Sequence, residues 1–301
     1  FIFPNYNLAK NIKTADNLPG TLTLNSEGSQ NIYNTNVSEA EIINDLNYQS
    51  EDKFSNNGIK NKFNILFKNV NSNGKNSTKY KDKTELELLS SFLFETSYPL
   101  LRNGINSDDY FTPKFSIRYS PNNMKNLRTE SRRIGINNIW SMNRIASSNT
   151  VESGQSITVG AEYVKSKKYD EIINVEEEEN DPLDLFELGL ATVFRDSTNE
   201  NMPETSTLGN KSSDLVGNIG YNPNEIFNFG YNFSLDNNLD VLKYNELVTG
   251  LSVNNFITTF KYVEENDDIG DGHYVQNNTS YNINEKSSIS FSTRKNKKID
   301  L

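Results

Sequence analysis

The stretch Ile134–Tyr163 reads IGINNIWSMNRIASSNTVESGQSITVGAEY, and its pattern sets the fold class. Side chains alternate across an extended backbone. In the first part, Ile134, Ile136, Asn138, Trp140 and Met142 therefore share one face, and Gly135, Asn137, Ile139, Ser141 and Asn143 the other. The last part, Ser156–Tyr163, repeats the design: Ile157, Val159, Ala161 and Tyr163 lie opposite Ser156, Thr158, Gly160 and Glu162. This alternation predicts a pair of strands, 134–142 and 156–163, joined by the polar connection Asn143–Gly154.

The same period of two recurs on both sides of this stretch. Upstream, Phe63, Ile65 and Phe67 share a face, as do Phe115, Ile117 and Tyr119 before the turn Ser120-Pro121-Asn122-Asn123. Downstream, Phe186, Leu188, Leu190, Thr192 and Phe194 alternate, and the cleanest case sets Phe227, Phe229, Tyr231, Phe233 and Leu235 against Asn228, Gly230, Asn232, Ser234 and Asp236. Leu247–Val253 and Phe256–Tyr262 change parity across Asn254-Asn255, as a hairpin requires. Gly20–Tyr33, Glu41–Tyr48, Leu215–Tyr221, Tyr274–Ile283 and Ser288–Thr293 read as further strands. Phe1–Pro4 reads as an edge strand or a linker, because Pro4 interrupts it. One run is ambiguous: in Glu85–Tyr98, Leu86, Leu89 and Leu93 also fit a helical spacing. Its neighbours all alternate, and Ser90-Ser91 and Thr96-Ser97 disfavour a helix, so it is read as a strand.

Composition narrows the class. Apolar residues make up 34% of the chain, and the 16 glycines in 301 residues raise this only to about 39%, below the ~45–50% usual for soluble domains. Disordered chains tolerate such a deficit, as do barrels or solenoids whose strands are apolar on one side only. Seventeen Phe and 15 Tyr exclude the first option. The net charge of -10, with scattered basic residues, argues against nucleic acid as a partner. No cysteine is present, so these residues hold neither a disulfide nor a thiolate metal site. No apolar run approaches the ~20 residues of a transmembrane helix, so any membrane crossing is by strands. The expectation is an all-β, antiparallel up-and-down transmembrane β-barrel, incomplete, of roughly 14–16 strands, with residues 1–301 forming part of a single outer-membrane barrel domain. Long polar loops interspersed with short turns such as Asn222-Pro223-Asn224 fit that expectation.

Little in the sequence carries covalent chemistry. The single histidine, His273, has Ser280 downstream but no nucleophile-elbow motif, and reads as an ordinary loop residue. Asp267–Gly272 has a faint likeness to a calcium loop but lacks its ligand spacing. Glu176–Glu179 lies in a hydrophilic excursion, Lys165–Pro182, that reads as a solvated loop. No cofactor is expected. The inward strand faces are rich in Asn, Ser, Thr and Gly. That is generic for a barrel lumen, and it also suits a wide hydrated interior able to pass a sugar head group.

Three segments carry a family resemblance: Phe111–Tyr119 (FTPKFSIRY), Asn138–Ile145 (NIWSMNRI) and Thr150–Ser156 (TVESGQS). Their order, an aromatic strand, then Asn-Arg, a short polar spacer and a Gly before the next strand, resembles the carboxy-terminal barrel of the lipopolysaccharide-assembly outer-membrane protein family, LptD (OstA/Imp). Weaker similarity includes Tyr33–Asn36 and Asn44–Tyr48, and the Asn, Lys and Ile bias resembles an AT-rich alphaproteobacterial member. The resemblance implies a cell outer membrane barrel that inserts lipopolysaccharide into the outer leaflet, with an LptE-like plug lipoprotein in its lumen. It also implies an LptA-like periplasmic bridge acting through an N-terminal jellyroll domain that lies outside this sequence. A general diffusion porin is the alternative. The motif residues are Pro113, Asn143, Arg144, Glu152 and Gly154; Arg144 and Glu152 flank the turn and either pair across it, the favoured structural role in pinning a hairpin, or leave Arg144 to bind an acidic lipid head.

Overall fold

The computed structural model describes residues 2–15, 18–168, 184–266, 272–284 and 286–296. In chain order the strands are β1 (Ile2–Ile12), β2 (Gly20–Ile32), β3 (Ser38–Ser50), β4 (Lys53–Phe54), β5 (Lys60–Lys75), β6 (Glu85–Ser97), β7 (Leu100–Asn103) and β8 (Ser107–Ser120). They continue as β9 (Gly154–Lys167), β10 (Asp184–Arg195), β11 (Leu215–Tyr221), β12 (Phe227–Leu235), β13 (Leu242–Val253), β14 (Phe256–Glu265), β15 (Tyr274–Asn284) and β16 (Ser287–Asn296). Apart from β4 and β7, which pair onto β5 and β8, each strand pairs antiparallel with its neighbours along the chain. The result is the expected all-β, up-and-down sheet, and among the described residues no pairing joins β1 to β16.

The register sorts side chains onto two faces. One face carries Phe67, Leu88, Ile117, Val159, Phe194 and Phe260, all more than a third exposed. Exposed aromatic and aliphatic groups continue along this outer face on β1 and β16, where Leu8, Ile289 and Phe291 are each more than half exposed. The inner face is mixed. On β5 the inner positions Leu66, Lys68, Val70 and Ser72 are buried while Phe67 between them is 57% exposed.

β6 explains the ambiguous run. Leu86 and Leu88 point outward, while Leu89 and Leu93 are buried on the inner face. Both faces of the strand are apolar, and that is the source of its apparent helical spacing. Pro113, inside β8, lies where the neighbour of β8 changes from β6 to β7, since pairing with β6 ends at Lys114 and pairing with β7 begins at Phe111. Its carbonyl accepts from Tyr98 N–H at 3.1 Å, and its missing N–H falls in the gap between the two partners.

Antiparallel order puts the connections 33–37, 76–84, 121–153, 196–214, 236–241 and 266–273 on one rim. The opposite rim has 13–19, 51–59, 98–106 and the tight turns 222–226 and 254–255. The hydrophilic excursion Lys165–Pro182 falls almost wholly outside the described residues.

Candidate functional site

The two longest described connections, 121–153 and 196–214, fold back over the inner face of the sheet. Segment 121–153 is the insert. It overturns one expectation: residues 134–142 form no strand, and Asn143–Gly154 is no hairpin turn. Asn138 bends the chain, since Gly135 N–H donates to its side-chain oxygen (2.9 Å), its amide nitrogen donates to Arg133 O (3.0 Å), and Ile139 N–H donates to Gly135 O (2.9 Å). Ser141 N–H closes a second turn onto Asn138 O at 2.9 Å. Asn and Gly in this run favour turns over ladder pairing, and the apolar residues bury more surface against the sheet than against a neighbouring strand.

Burial fixes the insert in two places. Met124, Leu127, Ile134, Ile139 and Ile145 cluster with Met202 and Leu208 of 196–214 and with Ala191, Val193 and Val216 on the inner face of β10 and β11. Val151 joins Ile43, Leu66, Val70 and Leu89 from β3, β5 and β6. Each fully buried aliphatic side chain of this kind contributes ~1.5–3 kcal/mol.

Polar anchors extend the reach. Asn149 donates to Glu41 on β3 (2.9 Å), and buried Lys68 on β5 donates to both Asp45 carboxylate oxygens (2.6 and 2.7 Å) and to Ser148 O (2.6 Å). At the other end, Arg133 pairs with Glu265 on β14 (3.0 Å) and stacks over the Tyr244 ring of β13. One compact segment thus touches strands from β3 to β14, so the sheet curves around it.

At the centre lies a buried charge cluster. Glu152 receives Arg144 Nε at 2.7 Å and Nη2 at 2.5 Å, and Arg195 Nη1 at 2.6 Å. Arg118 Nε stands 3.7 Å away. Arg144 also donates to Thr158 Oγ1 (3.1 Å) and Ser156 Oγ (2.8 Å) on β9. The terminal nitrogens of Arg118 reach the carbonyls of Ser141 and Met142, and Arg195 reaches that of Ser153. Three guanidiniums from β8, the insert and β10 therefore share one carboxylate, and backbone carbonyls accept much of the remaining donor capacity. Burial would push the Glu152 carboxyl up, but Arg144, Arg118 and Arg195 outweigh that and hold it at about 2. Asp214, at the end of 196–214, is shifted the other way, raised chiefly by burial.

The remaining motif residues shape this cluster. The Asn143 side chain accepts from Ser147 N–H (3.1 Å) and donates to Ser147 O (2.7 Å), which turns the chain so that Arg144 points at Glu152. Gly154 has φ +83°, and a Cβ there would lie 2.9 Å from Arg195 Nη2, so glycine meets both demands. Asn143, Arg144, Glu152 and Gly154 come together in the cluster; Pro113 lies apart from it, in β8. Sequence reasoning misses Arg118, Arg195 and Lys68. The signal that could have found them is a basic residue at the polar parity of an otherwise apolar strand.

The other candidates lie apart from this cluster. His273 Nε2 lies 3.1 Å from Glu265 O, near the long-loop rim. Ser280 is seven residues further along the same strand segment, roughly 23 Å away at ~3.3 Å per residue, so no Ser–His pair forms. The calcium-like loop lies largely outside the described residues, and among those described no group of three metal-binding side chains occurs. A polar cavity of about 730 Å³ opens between the insert and 196–214, lined by residues that include Arg128, Arg133, Asp214 and Lys243.

No protein-family model matches the chain, and no curated protein matches it. Among solved structures, a double mutant of the Rh. blastica porin is similar over 98% of this chain and 95% of its own, at 12% identity and a TM-score of 0.29. A likeness that slight bears no weight. The class rests on the sheet itself: antiparallel, up-and-down, apolar outside and curved around its own connections.

Proposed function

We propose that this chain is an outer-membrane β-barrel acting as a diffusion channel for polar solutes, narrowed by its own insert, with no covalent chemistry. The observation that carries this reading is the pairing of an apolar outer face with an inner face on which charges, amides and hydroxyls are either buried under the insert or left open to water. An outer belt of that kind is at home in lipid, and strands crossing lipid must pair their backbone groups, as each strand between β1 and β16 does with its neighbours. The test is reconstitution of the full-length protein in planar bilayers. Discrete ohmic steps are expected, and their absence across independent preparations overturns the channel reading.

A second reading is insertion of lipopolysaccharide into the outer leaflet, with an LptE-like lipoprotein and an LptA-like bridge as partners. It is favoured by the motif residues Asn143, Arg144, Glu152 and Gly154, which meet at one buried cluster instead of scattering. Replacing Arg144 with Ala separates the readings: assembly intact with lipid transfer lost favours the translocon, whereas altered conductance without any lipid phenotype favours the channel.

A further inference from the structure

The insert leaves part of the inner wall uncovered, and that part differs chemically from the rest. The described anchors of the insert fall between β3 and β14. β1 and β16 are exposed along their described lengths, and β15 is at most partly buried. Register identifies which of their side chains face inward. Starting from Glu265, which meets the insert through Arg133, alternation puts Thr259, Asn278 and Ser292 at one inner level and Ile257, Ser280 and Ser290 at the next. On the other flank, the buried inner residue Ile43 pairs with Glu27, which pairs with Asn7, while Asp45 pairs with Asn25.

The uncovered wall is therefore built from amides and hydroxyls, such as Asn278, Ser280, Ser290 and Ser292 on one side and Asn7 and Asn25 on the other. Its only charged inner side chains among the described residues are Glu27 and Arg294, and Arg294 is stacked on the Tyr274 ring with its guanidinium carbon 3.8 Å from the ring centroid. The covered wall holds the charges: Glu41, Asp45, Lys68, Arg118, Arg195 and Glu265 all meet the insert or its cluster. The charges thus lie on the covered strands, and the amides and hydroxyls on the uncovered ones at the two ends of the sheet.

We infer that solutes pass along the β15–β16–β1–β2 wall, and that this path takes uncharged, hydroxyl-rich solutes of the saccharide type. The inference rests on the channel reading above. An amide and hydroxyl surface replaces the hydrogen bonds a sugar gives up to water, in both donor and acceptor sense. A wall with almost no fixed charge exerts little pull on ions of either sign. Asn278 and Ser292 are already set for this role: Ser292 donates to Asn278 Oδ1 at 2.6 Å, leaving the Asn278 amide hydrogens free of that bond.

The test compares three cysteine variants in planar bilayers, made in these 301 residues, which contain no cysteine: Ser290→Cys and Asn7→Cys on the open wall, and Lys114→Cys beside the insert. A charged methanethiosulfonate reagent should cause a stepwise loss of conductance at 290 and 7 and none at 114. The unmodified protein should show a reversal potential near zero in asymmetric KCl, and proteoliposomes should swell faster in neutral oligosaccharides than in charged solutes of the same size. Loss of conductance at 114 with none at 290 and 7 overturns the path while leaving the channel standing, and a strong ion preference overturns the solute class. Absence of conductance in every variant and in the parent overturns the channel reading itself.

Discussion

Glu152→Gln is the most informative single change. The side chain is 1% exposed and faces Arg144, Arg195 and Arg118. Gln preserves its shape and one carbonyl acceptor but removes the only carboxylate that ties the insert to β8 and β10 at this point. Removing one partner of a buried ion pair costs about 3–5 kcal/mol, because the other charges stay buried without compensation. The same three guanidiniums, outweighing burial, hold the Glu152 carboxyl well below its ordinary range. A loss of that size shifts the ratio of seated to released insert by about a hundredfold to a few thousandfold. The chain carries a single tryptophan, Trp140, which lies in the insert and packs on its main apolar cluster. Trp140 emission therefore reports seating directly. In a urea titration of the protein in detergent, the Trp140 transition of Glu152→Gln should move to lower urea while the far-ultraviolet strand signal holds its parental midpoint. A double-mutant cycle with Arg144→Gln should show strong coupling, the pair costing less than the sum of its parts. The reasoning fails if Glu152→Gln unseats Trp140 within about 0.5 kcal/mol of the parent, the range of an ordinary surface substitution.

The same carboxylate sets a pH dependence. Its folded value lies below the ordinary one, so its contribution is complete above about 4.5 and is lost as pH falls through about 2. Trp140 emission should therefore stay at its neutral-pH value at pH 4 and shift red toward pH 2, and a midpoint between 4 and 5 would contradict the cluster geometry. Gly154→Ala should cost about 1–2 kcal/mol from its left-handed backbone alone, with more from displacing Arg195, seen as a lowered Trp140 midpoint. Ile139→Ala empties a fully buried site in the insert and should cost about 2–5 kcal/mol in the same assay with the sheet signal unchanged. Lys68→Met removes the donor to Ser148 O but leaves Asp45, which is 27% exposed, able to hydrate; a cost of about 1–3 kcal/mol is expected.

The sheet is legible in the sequence because strands apolar on one face have a period of two, and that period survives wherever the inner face is open. It blurs in β6, and the cause is physical: Leu89 lies under Val151 of the insert and Leu93 is buried on the same inner face, so the inner parity turns apolar as well. The insert itself misleads for the converse reason. Ile134, Ile136, Trp140 and Met142 alternate as a strand would, yet Asn138 and Gly135 spend their hydrogen-bonding groups on turns, and Ile139, of the opposite parity, is buried beside Ile134. Period alone cannot separate a strand from a turn-rich segment that places every apolar group against a wall already built. What distinguishes them is the wall. Leu66, Val70, Ala191, Val193 and Val216 are apolar at positions where a water-filled bore calls for polar groups, and each needs a cover. Doubly apolar strands on β5, β6 and β10, together with lone arginines at the inner parity of β8 and β10, therefore announce an insert and the site of its latch. By the same reasoning, the strands with few apolar inner residues to hide, β16, β15 apart from Tyr274 and β1 apart from Ile2 and Ala9, mark the face that the insert leaves open.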